Sequence, residues 1–181
     1  MMDKSVARQA AFARRKVAHA AGIGNAGYLS EVLAGYRGVP LAGYMAMRTE
    51  IDPLAALEEA AAYGPVGMPV IIGAGQPLRF RVWEPGVPMV KGDFGAMIPE
   101  EGDWMVPEIV VVPLVAFSNA GGRLGYGGGF YDRTLERLRA AQPTMAIGFA
   151  YRAQEDSGLP LEPTDQQLDL VVTEAGVLTV G

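Results

Sequence analysis

The chain has 181 residues, half of them apolar, with 24 glycines, 13 prolines, a single histidine, no cysteine and a formal net charge of −5. The absence of cysteine excludes disulfides, thiolate nucleophiles and cysteine zinc sites, and the lone His19 excludes a multi-histidine metal centre. Any metal would be a hard cation on oxygen ligands, such as Mg2+. The acidic balance speaks against a general nucleic-acid binder, and no apolar run is long enough for a bilayer. The first residues lack the apolar core of a signal peptide. A cytoplasmic protein with no nucleic-acid or membrane partner is therefore expected, with one domain over residues 1–181.

Residues 3–21 predict a helix, on which Val6, Ala10, Ala13 and Val17 can share a face and which Gly22 can stop. Lys4 and Arg8 stand one turn apart, whereas Arg14, Arg15 and Lys16 read as a solvated face and His19 as an ordinary helix-end residue. Residues 22–27 formally match the dinucleotide glycine pattern, but they follow a helix rather than a strand, which rules that reading out. Residues 28–36 read as a second helix and 40–47 as a short buried strand. Asp52 as N-cap and Pro53 as first helical residue start a helix over 54–63, closed by Gly64 and Pro65. Glu50 thus falls in a strand-to-helix loop. A carboxylate there is usually a cap or a solvated charge, yet in a parallel sheet the loops at the carboxyl ends of strands line the ligand crevice.

Residues 68–72 and 79–83 are two further strands, the second alternating polar and apolar. Residues 84–104 form a loop-rich excursion, a lid or simply cover. Residues 108–117 are an apolar strand and 133–141 a helix. Between them, 121–133 read Gly-Gly-Arg-Leu-Gly-Tyr-Gly-Gly-Gly-Phe-Tyr-Asp-Arg. A glycine-rich turn is most often only a turn. Here aromatics directly follow three glycines and the cations Arg123 and Arg133 flank them, so backbone N–H groups at a helix start could hold a phosphate. It is not a Walker loop, since no Gly-Lys-Ser/Thr follows, and Phe130 stands where a dinucleotide fingerprint needs glycine. Residues 145–151 and 169–173 are the last strands, separated by a proline-containing loop over 158–167. This alternation predicts an α/β three-layer sandwich with a mostly parallel central sheet, Rossmann-like.

Pro113-Leu114-Val115-Ala116-Phe117 followed by Arg123-Leu124-Gly125-Tyr126-Gly127-Gly128-Gly129-Phe130-Tyr131-Asp132-Arg133 resembles the signature of the 5-formyltetrahydrofolate cyclo-ligase family, also called methenyltetrahydrofolate synthetases. Lys4-Ser5-Val6-Ala7-Arg8, Glu50-Ile51-Asp52, Gly75-Gln76-Pro77-Leu78, Lys91-Gly92-Asp93-Phe94-Gly95 and the segment from Asp165 to Glu174 resemble other parts of the family in its order. The resemblance covers nearly the whole chain, and the glycine stretch is its most specific part. Ser118 stands where an Asp usually follows the Phe, and Leu161 and Thr164 where histidines are common.

The resemblance implies an ATP- and Mg2+-dependent enzyme that turns 5-formyltetrahydrofolate into 5,10-methenyltetrahydrofolate. The formyl oxygen attacks the γ-phosphate of ATP, the folate nitrogen at position 10 attacks the resulting phosphorylated imine, and phosphate leaves. It implies ATP contacts from Lys4, Arg8, Arg123, Gly125, Gly127, Gly128, Gly129, Phe130, Tyr131 and Arg133. It implies folate contacts from Met47, Glu50, Tyr126 and Tyr131, a catalytic set of Arg123, Tyr131 and Glu50, and Mg2+ on Asp132 and Asp169. Phosphoryl transfer asks mainly for positioning and charge neutralisation, so a chain without cysteine suits it. The partners expected are the folate substrate and ATP, with the protein a monomer. Two other readings stay open: a related ATP-binding enzyme with a different substrate, and a catalytically silent folate- or nucleotide-binding protein.

Overall fold

The structure, a computed structural model, describes residues 3–160 and 162–180. In chain order its elements are α1 (Lys4–Ala20), α2 (Gly27–Ala34), β1 (Leu41–Ala42), α3 (Leu54–Ala61), β2 (Val66–Val70), β3 (Arg79–Trp83), β4 (Met89–Lys91), β5 (Met97–Pro99) and β6 (Trp104–Met105). They continue with β7 (Ile109–Pro113), β8 (Ala116–Phe117), β9 (Arg123–Leu124), α4 (Phe130–Ala141), β10 (Met145–Phe149), β11 (Leu170–Val172) and β12 (Val177–Thr179).

Eight strands make one sheet in the order β12-β11-β10-β7-β1-β2-β3-β6. The five from β11 to β2 are mutually parallel, and β12, β3 and β6 join antiparallel at the edges. The expected mostly parallel α/β sheet is thus present. Its five parallel strands, β1, β2, β7, β10 and β11, lie side by side in the order second-first-third-fourth-fifth. In this doubly wound order the winding reverses between β1 and β7, and ligands of such sheets bind at the carboxyl ends of the strands beside that reversal.

The parallel strands read as nearly continuous apolar runs because both faces are covered. Successive side chains alternate between two cores. Leu41, Ile109, Val111 and Ile147 face Leu29, Leu33 and Leu57 of α2 and α3, while Ala42, Val110, Val112 and Ala146 face Leu135 of α4. A third, smaller core joins Ala7 and Ala11 of α1 to Val115, Ala116 and Leu124. Asp3 starts α1 by accepting the Ser5 N–H at 2.9 Å.

Several boundaries differ from the sequence expectation. The strand expected over 40–47 is only two residues of β1, because the chain then turns to present residues 44–52 above the sheet. The strand expected over 68–72 begins two residues earlier, at Val66. The apolar run over 108–117 is two strands: β7 ends at Pro113, and β8 turns away to pair with β9 as a hairpin. The excursion over 84–104 is largely a second hairpin, β4 with β5. The face expected on α1 is wrong. Val6 and Val17 are 58% and 71% exposed, and the buried face is Ala7, Ala11, Arg15 and Ala18. With alanines on both sides of the helix, periodicity alone does not choose between them.

Candidate active site

Two loops meet at the reversal point. The loop after β1 carries Met47 and Glu50, and the chain after β7 returns through the β8–β9 hairpin to residues 125–129 and the start of α4. Glu50 is buried, only 6% exposed. One of its oxygens, Oε1, accepts the Met47 N–H at 2.7 Å, and Oε2 accepts the Tyr126 hydroxyl at 2.8 Å. Burial raises the Glu50 carboxyl above its ordinary pKa, opposed by those two hydrogen bonds and by the charges of Arg15 and Arg48. Burial, with the Glu50 charge second, also pushes the Tyr126 and Tyr131 hydroxyls up. Tyr131 sits in the first turn of α4, beside Arg123.

The glycine loop lies between cations. Arg8 Nε donates to the Gly125 carbonyl at 2.8 Å, and its guanidinium stands 3.5 Å from where a Cβ on Gly127 would lie. Arg133 NH2 donates to the Gly128 carbonyl at 2.6 Å. Gly127 and Gly129 have φ of 102° and 69°, a region closed at low energy to side-chain-bearing residues. Gly129 caps α4 without any side-chain hydrogen bond to the first turn, so the positive end of a 12-residue helix is uncapped by side chains. The Nε atoms of Arg123 and Arg133 are buried without a partner. Orphaned guanidinium donors, positive-φ glycines and a helix start whose one acidic first-turn residue, Asp132, is paired with Arg123 make a set of donors suited to a phosphate chain.

Lys4, one turn before Arg8, is paired with Glu162 at 2.7 Å, so an anion would have to compete with that carboxylate for it. The aromatic pair Phe94 and Phe130 meets edge-on at 6.2 Å, and the Met47 methyl comes near Gly95. The turn between β4 and β5 thus approaches the start of α4 and the Glu50 loop.

The structure does not bring Asp132 and Asp169 together as a cation cage. Asp132 binds the Arg123 guanidinium, whose side chain is only 5% exposed, and accepts the Gln166 N–H. Asp169 accepts from Arg139 at 2.9 Å and from the Ala146 N–H at 2.8 Å, at the amino end of β10 and away from the crevice. Each carboxylate already neutralises its own arginine. Among the described residues no group of three or more His, Asp or Glu side chains could hold a metal ion. A protein-only Mg2+ site does not fit these residues; Mg2+ commonly enters such sites on substrate phosphates.

Sequence reasoning also misplaced Arg15. It is not on a solvated face but 1% exposed. Its Nε donates to Thr49 Oγ1 at 2.9 Å and its NH1 to the Tyr126 oxygen at 2.7 Å and the Leu114 carbonyl at 3.4 Å, with Phe12 and Tyr126 rings against it. Its partners lie far away in the chain, and only the spacing of seven from Arg8, two helical turns on the same side, hinted at it. Ser118 is buried and closes the β8–β9 turn, its Oγ accepting the Gly122 N–H at 3.1 Å. Thr164 is exposed, and Leu161 lies outside the described residues.

A profile of the 5-formyltetrahydrofolate cyclo-ligase family matches residues 37–174. The 5-formyltetrahydrofolate cyclo-ligase of Mycolicibacterium smegmatis is 30% identical over 176 residues, covering 88% of this chain and 87% of that protein. That of Haemophilus influenzae is 39% identical over 101 residues, 52% of this chain; there the chain spans about half, 54%, of the relative's length. The NMR structure of 5,10-methenyltetrahydrofolate synthetase from Aquifex aeolicus superposes with a TM-score of 0.77 at 25% identity, covering 99% of this chain and 93% of that one. No helix among the described residues is long and apolar enough to cross a membrane.

Proposed function

The chain belongs to the 5-formyltetrahydrofolate cyclo-ligase family, and from that premise we propose that it closes 5-formyltetrahydrofolate to 5,10-methenyltetrahydrofolate at the expense of ATP. When bound, ATP supplies the phosphoryl group that makes the formyl oxygen a leaving group. Arg8 and Arg133, on the two sides of residues 125–129, and the N–H groups at the start of α4 would hold the ATP phosphates. Arg123, held by Asp132 and with its Nε unpartnered, would lend its positive charge to the developing anion. Each Glu50 oxygen accepts one internal hydrogen bond, which leaves lone pairs to orient N–H groups of the folate. Tyr131 and Tyr126 offer hydroxyls and ring faces on the same side. Mg2+ would travel with the ATP phosphates. The same reading takes the protein as a cytoplasmic monomer with Lys4 and Met47 at the two ends of the crevice.

One observation supports this reading most: the 2.8 Å hydrogen bond from Tyr126 to Glu50 makes the glycine loop and the buried carboxylate parts of one crevice. The test is direct. The protein is mixed with 5-formyltetrahydrofolate, ATP and Mg2+, and the near-ultraviolet band of methenyltetrahydrofolate is followed. Growth of the band that requires both substrates is the expected result. ATP hydrolysis only with another compound, or binding without turnover, would overturn it.

A further inference from the structure

Among the described residues Arg15 has no carboxylate in contact. A fully buried cation without a counter-ion is costly, so something must compensate. The Tyr126 hydroxyl stands between Arg15, at 2.7 Å, and Glu50 Oε2, at 2.8 Å. Arginine has no acceptor and an ionised carboxylate no donor, so the phenol's one proton must point to Glu50 while its oxygen accepts from Arg15. With Glu50 ionised, the direction of the relay is thus fixed. Tyr126 is itself 45% exposed, so its ring stands at the crevice mouth while its hydroxyl is held inside.

We propose that Arg15 is a positioning residue of this site: through the Tyr126 hydroxyl it balances the Glu50 carboxylate, and it pins the first half of the glycine loop over that carboxylate. This role in the reaction rests on the cyclo-ligase reading, but its structural part does not. Arg15 binds Thr49 of the Glu50 loop, the Leu114 carbonyl at the β7–β8 break and Tyr126 of the glycine loop at once. A single guanidinium therefore ties α1 to both loops that make the crevice. The fork of donors is needed for this; a lysine in the same place has the charge but cannot span three acceptors.

The other charged or titratable groups that face Glu50 are Arg48 and Tyr44 of its own loop and Tyr131 of α4. Arg15 donates to none of them, and Y126F breaks the link to Glu50 with Arg15 still bound to Thr49 and Leu114, so a shift common to R15M and Y126F belongs to the relay.

The experiment follows the Glu50 carboxyl in the free protein by carbon-13 NMR, assigned by loss of its signal in E50Q. It compares the parent with R15M, R15K and Tyr126→Phe. The expected result is an upward shift of the Glu50 titration of about one pH unit in R15M. R15K should shift less than R15M, and Y126F should shift in the same direction with Arg15 intact. An unshifted titration in folded R15M, or in Y126F should R15M not fold, overturns the proposal whatever the enzyme assay says. The acidic limb of the pH–rate profile for cyclo-ligase turnover should move with the titration. A uniform loss of rate at every pH, with the limb unmoved, would show a role in stability alone. Absence of turnover in the parent would count against the cyclo-ligase reading and leave the titration result standing.

Discussion

Arg8 Nε donates to the Gly125 carbonyl across 2.8 Å, so a helix at the start of the chain holds a loop more than a hundred residues later. The rest of its guanidinium faces Gly127, where it is available to an anion.

Changing Arg8 to Met should therefore raise the ATP concentration needed for half-maximal turnover. Loss of a charged hydrogen-bond partner costs about 1.5–3 kcal/mol, or roughly tenfold to a hundredfold in affinity. Stability should fall by no more than about 1 kcal/mol, because Arg8 is half-buried and touches a loop rather than a core. An ATP titration and a thermal melt on one sample check both halves.

Gly129→Ala should damage the loop more than Gly125→Ala. Gly129 has φ of 69° and a Cβ there would lie 2.8 Å from Arg133 NH1, whereas one on Gly125 would meet Arg123 only at 3.7 Å. A left-handed backbone costs a residue with Cβ about 1–2 kcal/mol. The expected outcome is weaker ATP binding by calorimetry in G129A with a modestly lowered melt, and near-parental values for G125A.

Glu50→Gln tests the buried carboxylate in two ways. Folate use should fall by roughly tenfold or more, with ATP binding nearly kept. Stability should also change its pH dependence. Burial raises the Glu50 pKa above 4.5. The stability this group contributes is complete below that ordinary value and is lost as pH rises through the elevated one. Glutamine does not titrate. The melting temperature of the variant relative to the parent should therefore improve between about pH 4 and pH 7. Melts at both pH values decide the point.

The two aspartates should separate. Asp132→Asn removes the counter-charge of a guanidinium that is 5% exposed and should cost about 1–3 kcal/mol, Asp132 itself being 29% exposed. Asp169→Asn loosens a pair whose side chains are 25% and 49% exposed and should cost about 1 kcal/mol or less. Denaturant melts with and without Mg2+ check this.

The sheet and the glycine loop were legible because their signals are local. Apolar runs of Val and Ile mark the buried strands, and Gly127 to Gly129 between Arg123 and Arg133 mark the loop. Glu50 was legible as a carboxylate left between a strand and an Asp-Pro helix start. Arg15 was not, because its acceptors sit 34, 99 and 111 positions away and its helix carries alanines on every side. The break after Pro113 was hidden for a similar reason. Residues 109–117 are apolar throughout, and the bend shows in their long-range partners: the Leu114 carbonyl accepts from Arg15 and Gln154, and the Val115 N–H donates to the Leu124 carbonyl. The β4–β5 hairpin escaped notice because three-residue strands are too short for periodicity to register.

β1 is two residues long, yet both of its parallel neighbours come from later in the chain, with Val66 and Ile109 opposite Leu41. The crevice beside it has no local precursor. On the ribosome, a growing chain would carry Glu50 long before it carried the loop that faces it, and no stretch ending short of residue 109 could draw the site at all. Pairing across such separations must meet the cost of loop closure before any contact repays it. Ligands would be invisible to the nascent protein and would act only on the finished sheet, stabilising it by mass action. Without a bound ligand, more of this protein would then sit in its least protected form.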